Sequence, residues 1–205
     1  MIAIIDYGVG NLFSLTCSLT AIGAEAAAVT SPEAVRSASK IILPGVGAFG
    51  DAAALLRKNG IDKLIIQAVE SGTPLLGICL GMQLLFDYSL EYGRHEGLGL
   101  IHGSIQPIKN VIPPDYKVPH IGWNALQFPA GRPVSPLFQY ISEGDFVYFV
   151  HSFSGMDCGE SVIATSEYGV PLTAAVAREN VFGVQFHPEK SGEVGLRILK
   201  AFCAL

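Results

Sequence analysis

The sequence predicts an α/β fold: an open, mostly parallel doubly wound sheet flanked by helices, with additional strands in the C-terminal half. Three observations carry that expectation. From Ile2 to Phe86, short apolar runs alternate with helical periodicities, so each strand is followed by a crossover. The runs are apolar throughout, as strands covered on both faces require. Beyond Asp87, glycine and proline cut the chain into short β-branched and aromatic pieces. The chain has 205 residues, half of them hydrophobic and only 15% charged, so one domain over 1–205 with a well-filled core is expected.

Ile2 to Ile5 is the first strand, ended by Asp6-Tyr7-Gly8. Leu12, Leu15, Leu19 and Ile22 recur at three or four residues and predict a helix that Gly23 stops. Glu25 to Val29 reads as a thinner strand. Ser31-Pro32-Glu33 is a cap followed by proline, opening a short helix that ends near Ser37. Lys40 to Leu43 is the third strand. The glycine-rich Pro44–Gly50 stretch then reads as a loop offering backbone N–H groups, or as a plain turn. Asp51 to Lys58 and Ile61 to Glu70 are helical. Pro74 to Ile78 is the fourth strand, and a helix is expected to run from Leu80 through Phe86. Later strands are expected at Leu100–Ile105, Tyr116–Val118, Phe146–Val150, Ser161–Thr165, Leu172–Ala177 and Phe182–Phe186, with a closing helix over Val194–Cys203. Pro119 to Asn124 reads equally as core packing with a turn or as part of an interaction face or site rim.

The formal net charge of −5 and the lack of any Lys/Arg run speak against a nucleic-acid groove. Four cysteines without a C-x-x-C pair suggest neither a zinc clip nor a disulfide framework. The N-terminus lacks the positive n-region of a signal peptide, and no apolar run reaches membrane-spanning length. A reduced, soluble, cytoplasmic protein without metal or cofactor is the expectation.

Cys79 falls at a strand-to-helix junction between Gly77 and Gly81, where a Cβ would crowd a tight turn. That stretch alone leaves both a nucleophile and a buried small hydrophobe open. A nucleophilic thiol needs a base and something to orient it. His187 follows a strand and has Glu189 two residues on, so it can serve as base with Glu189 fixing its tautomer. His151 also follows a strand. His95 reads as solvated and His102 as structural. The oxyanion of acyl transfer would meet the Leu80 N–H and one from the glycine turn, Val46 or Gly47. Paired carboxylates for glycoside chemistry find no support, and capping or turn formation explains Asp6 as well as catalysis does.

Together, GICLGMQ at 77–83 and FHPE at 186–189 resemble the class I glutamine amidotransferases. DYGVGN at 6–11, LPGVGAF at 43–49, PHIGWN at 119–124, YFVHSF at 148–153 and GVQFHPEKSG at 183–192 narrow the resemblance to glutaminase subunits of imidazole glycerol phosphate synthases, over essentially the whole chain. The resemblance implies a Cys79–His187–Glu189 triad. It implies glutamine-binding roles for Gln83, Glu91, Tyr148, His151 and Ser152. It also implies a (β/α)8 cyclase partner in a 1:1 heterodimer, faced by Asn11, Trp123 and Lys190. Glutamine hydrolysis in such subunits is weak until the loaded partner binds. Phe153 departs from the family pattern, where tyrosine is common. The rivals are a glutaminase of the vitamin B6 type, a partner-independent γ-glutamyl cysteine hydrolase, and a non-catalytic subunit on the same fold.

Overall fold

A computed structural model describes residues 1–205. The first half runs β1 (Ile2–Ile5), α1 (Leu12–Ala21), β2 (Ala26–Val29), α2 (Pro32–Arg36), β3 (Lys40–Gly45), α3 (Phe49–Lys58), α4 (Ile61–Glu70), β4 (Leu75–Cys79) and α5 (Leu80–Leu84). The second runs β5 (Phe86–Ser89), β6 (His95–Glu96), β7 (Ile101–Pro107), β8 (His120–Ala125), β9 (Phe146–His151), β10 (Phe153–Met156), β11 (Val162–Glu167), β12 (Pro171–Arg178), β13 (Val181–Val184) and α6 (Gly192–Ala204). No helix is long and apolar enough to cross a membrane.

The main sheet has seven strands in the order β11-β12-β13-β4-β3-β1-β2. Its strands from β13 to β2 are parallel, and β12 and β11 continue one edge antiparallel. Alternation along each apolar run feeds two separate cores. Ile2, Ile4, Ile42, Leu76 and Ile78 pack with Leu15 and Leu19 of α1 and Ile198, Leu199 and Phe202 of α6. Ala3, Ile5, Ile41, Leu43 and Leu75 face the other way, onto residues of α2, α3, α4 and α5. A run with a polar face could not serve both layers, which is why these strands read as continuously apolar.

A four-stranded sheet, β10-β7-β5-β6, and the β8-β9 pair pack against the main sheet, with Phe86, Ile101 and Ile105 in one of its cores and Val147 and Phe149 in the other. Here the structure departs from the sequence-based expectations. Helix α5 stops at Leu84 and does not reach Phe86, because the carbonyls of Leu84 and Leu85 accept from Leu98, Leu100 and Ile101. Phe86 instead starts β5, which pairs with β7. Strand β3 extends through Gly45, which lies in register with Cys79. Residues 116–118 form no strand, whereas 120–125 and 153–156 do. His102, read as structural, lies in β7 with its side chain exposed and its Nδ1 2.8 Å from Asp87 Oδ2. His95 is half-buried, its ring against Gly50 of α3, and so is not freely solvated.

Candidate active site

Three neighbouring parallel strands, β3, β4 and β13, end on one side of the main sheet. Their C-terminal ends bring together the Val46–Gly47 turn, Cys79 and His187, as expected for ligand sites on open α/β sheets. A cavity of about 720 Å³ opens there. Cys79 sits in it with φ 55° and ψ −111°, a conformation rare for a residue with a side chain. Strain of this type costs about 1–3 kcal/mol and persists only where the surroundings impose it. They do: a Cβ on Gly81 would lie 1.7 Å from the Leu43 carbonyl oxygen, and one on Gly77 2.7 Å from Met82 backbone. Glycines at these two places let the backbone fold this tightly, and α5 leaves directly from the cysteine.

His187 is buried, and its Nδ1 is 2.8 Å from Oε1 of the buried Glu189. Burial alone would lower its pKa. Hydrogen bonds to Cys79 and Glu189, with the charges of both, outweigh burial and push it up to about 9. The other Glu189 oxygen, Oε2, has no partner in the chain. Glu189 and Asn11 both line a void of about 10 Å³ behind His187. The His187 N–H donates to the Tyr148 carbonyl at 3.0 Å, which ties the histidine to β9. No three His, Cys, Asp or Glu side chains group as metal ligands.

The cavity is lined by Cys79, His187, Val46, Gly47, Leu80, Gln83, Glu91, His151 and Ser152, among others. Glu91 Oε2 accepts from the Phe49 N–H at 2.7 Å and so caps α3, whose Ala48 cannot. Gln83 Nε2 donates to Gln185 Oε1 at 3.0 Å and to the Phe153 carbonyl at 3.3 Å. His151 Nδ1 donates to the same carbonyl at 2.8 Å, and its Nε2 meets His120 Nδ1 at 3.0 Å. Burial pushes His151 down to about 4 and also lowers His120. Tyr148 is the exception: it does not line the cavity. Strand alternation turns its ring to the far side of β9, edge-on to Trp123.

Trp123, 51% exposed, shares that outer face with the exposed Ile121 and Phe146. Lys190, also exposed, lies in the turn after His187, and Asn11 caps α1 through Ser14 N. Sequence reasoning passed over Gln185 and Tyr7. A glutamine inside the apolar run 181–186 was the available signal, since such residues are rarely fully buried without a task. Tyr7 is buried, and its hydroxyl donates to the Pro44 carbonyl at 2.9 Å. Burial first, then the nearness of Cys79, raises its pKa.

The family model described as glutamine amidotransferase class-I matches residues 3–204. A Geobacillus protein named imidazole glycerol phosphate synthase subunit HisH is 50% identical over 208 residues, covering 100% of this chain and 97% of that protein. A Wolinella succinogenes protein of the same name is 45% identical, with 100% of both chains covered. Among solved structures, one described as a glutamine amidotransferase aligns with TM-score 0.75 at 20% identity over 100% of both chains. PurLQS from Thermotoga maritima aligns with TM-score 0.77 at 22% identity over 99% of this chain and 97% of that one. At these identities, the structural likeness speaks for the fold.

Proposed function

This chain belongs to the class I glutamine amidotransferase family, and from that premise we infer that it is the glutaminase subunit of an imidazole glycerol phosphate synthase. It hydrolyses L-glutamine to glutamate and supplies the ammonia to a cyclase partner, which makes imidazole glycerol phosphate and aminoimidazole carboxamide ribotide in histidine biosynthesis. The whole of residues 1–205 acts as one amidotransferase domain, in keeping with relatives matched from end to end.

The observation that carries the reading is that the cavity holding Cys79 also holds His187, whose Nδ1 is bonded to Glu189. His187 takes the Cys79 thiol proton, and its pKa of about 9 keeps the ring charged once it has done so. Cys79 attacks the side-chain amide carbon of glutamine. The oxyanion meets the Leu80 N–H and an amide of the Val46–Gly47 turn. His187 gives its proton to the departing ammonia, leaving a γ-glutamyl thioester. It then takes a proton from water as the thioester is cleaved and glutamate leaves. Gln83, Glu91, His151 and Ser152 line the cavity that receives glutamine. Tyr148 acts from behind, through its carbonyl on His187.

The partner is a (β/α)8 cyclase bound 1:1. Its docking surface is the outer face of β8 and β9, where Ile121, Trp123 and Phe146 leave apolar area exposed. Asn11 and Lys190 complete that surface. The four cysteines are unpaired, which suits a reducing cytoplasm. The decisive experiment mixes the chain with its cyclase and follows product. Cys79→Ala should lose about 10³-fold or more with glutamine yet keep wild-type rates with ammonium salt at alkaline pH. Glutamine-dependent turnover surviving in Cys79→Ala would refute the reading.

A further inference from the structure

Gln185 is fully buried just past β13, inside the 183–192 motif, and the mechanism above gives it no task. Its Nε2 lies 3.8 Å from Cys79 Sγ, and its Oε1 accepts from Gln83 Nε2 at 3.0 Å. Gln83 Nε2 also donates to the Phe153 carbonyl at 3.3 Å. A carbonyl only accepts, so it dictates which end of the Gln83 amide faces it. The remaining Gln83 N–H then points at Gln185, which must answer with oxygen. The nitrogen of Gln185 is left facing the sulfur. The reversed amide would set oxygen against sulfur and two NH2 groups against each other. The Phe153 carbonyl itself is held by a second donor, His151 Nδ1.

We infer that Gln185 is a hydrogen-bond donor to the Cys79 sulfur that stabilises its thiolate, with its amide orientation set by Gln83 and the Phe153 carbonyl. The inference rests on the reading of Cys79 as the nucleophile. His187 and Gln185 then hold the sulfur in different ways. His187 gives up its proton during the reaction. The amide of Gln185 does not titrate, so its N–H remains on the sulfur after ammonia has carried the His187 proton away. In a water-poor pocket a fixed neutral donor of this kind favours the thiolate without competing with the base.

The test follows the rate of Cys79 alkylation by iodoacetamide against pH in the full chain, with circular dichroism and thermal unfolding to confirm the fold. The titratable groups around the sulfur are His187 with Glu189 behind it, Tyr7, and His151 and Glu91 across the cavity. All of them stay in every Gln185 variant. In Gln185→Met the alkylation midpoint should move up by about one pH unit, and kcat with glutamine should fall about tenfold while KM barely moves. Gln185→Glu, nearly the same shape but unable to donate when ionised, should shift the midpoint further. Gln83→Met, read by alkylation alone because Gln83 also lines the glutamine cavity, frees the Gln185 amide to rotate and should give a smaller shift of the same sign. A folded Gln185 variant with the wild-type alkylation profile overturns the inference. Glutamine turnover surviving in Cys79→Ala would instead sink the nucleophile reading, and it is scored separately.

Discussion

His151 and His187 share one cavity, yet their pKa values move in opposite directions, to about 4 and about 9. His187 comes from the wall built by the parallel sheet. It sits between a carboxylate and a sulfur, both of which reward a charged ring. His151 comes from the opposite wall, built by β9, β10 and β7. Burial lowers its pKa, the Phe153 carbonyl offsets burial only in part, and the charges of His120 and His187 lower it further. The same side chain therefore does two jobs. One ring moves protons, and the other is a neutral strut that holds the Phe153 carbonyl in place. The sheet wall supplies reactivity, and the opposite wall supplies fixed polar geometry.

The sharpest way to break the sheet wall is Gly81→Ala. Its Cβ would meet the Leu43 carbonyl oxygen at 1.7 Å, backbone against backbone, with no flexible side chain to give way. A loss of about 4 kcal/mol or more is expected, the class of substitution that a small domain rarely survives. Denaturant unfolding reads it directly. A stable Gly81→Ala protein with normal glutamine turnover would show that the turn at Cys79 does not need this close approach.

The opposite wall should reveal itself in acid. An unfolded histidine titrates near 6.5, whereas folded His151 does so near 4. Between these values the unfolded chain takes up a proton that the fold excludes. Stability from this group is therefore complete above pH 6.5, falls as the pH drops toward 4, and levels off below. The expected loss is about 3 kcal/mol. His187 has the reverse sign: its contribution is complete below about 6.5 and is lost as the pH rises through 9. Urea midpoints measured across pH 4 to 7 should fall steeply for wild type and less so for His151→Gln. Parallel curves would mean that His151 is charged in the fold, and the contrast between the walls would collapse.

How much of each wall could be read in advance follows from the same physics. The strands β1, β3 and β4 carry their own signal, because both faces are covered and every residue must be apolar. Cys79, His187 and Glu189 stood out because they sit where such runs stop. Strands β8 and β10 carry almost no signal. Strand β8 turns Ile121 and Trp123 outward and His120 inward, so its alternation reads backwards. Strand β10 is Phe-Ser-Gly-Met, a strand only because β7 pairs with it. Helix α5 had the spacing of a longer helix, and distant N–H groups from residues 98–101 ended it. The side on which the Tyr148 ring lies was not legible for a related reason: it shows only once β9 is paired with β8, which sets the ring beside Trp123.

The outward face of β8 offers a smaller, selective perturbation. Trp123→Ala removes the largest exposed apolar side chain of the patch without touching the cavity. Affinity for the cyclase should fall about thirtyfold, near 2 kcal/mol, as for a central aromatic anchor. Fold stability should hardly change. Titration calorimetry against the cyclase separates the two effects, and unchanged affinity would move the docking surface elsewhere.

Tyr7→Phe should give the smallest effect, and it probes the joint between β1 and the turn that faces the sulfur. The Tyr7 hydroxyl holds the Pro44 carbonyl, one residue before Gly45, and a Cβ on Gly45 would lie 2.6 Å from that hydroxyl. Removing the oxygen leaves the ring packed and deletes one buried hydrogen bond, for a loss of about 1 kcal/mol. In a domain of this size that lowers Tm by about 3 °C. The kinetic consequence is more informative. If the Pro44–Gly47 turn limits turnover until the partner binds, loosening its anchor should raise the glutaminase rate of the chain alone several-fold. The rate of the loaded complex, where the partner sets the turn, should stay the same. Equal basal rates in wild type and Tyr7→Phe would mean that the pairing of Gly45 with Cys79 fixes the turn without help from Tyr7.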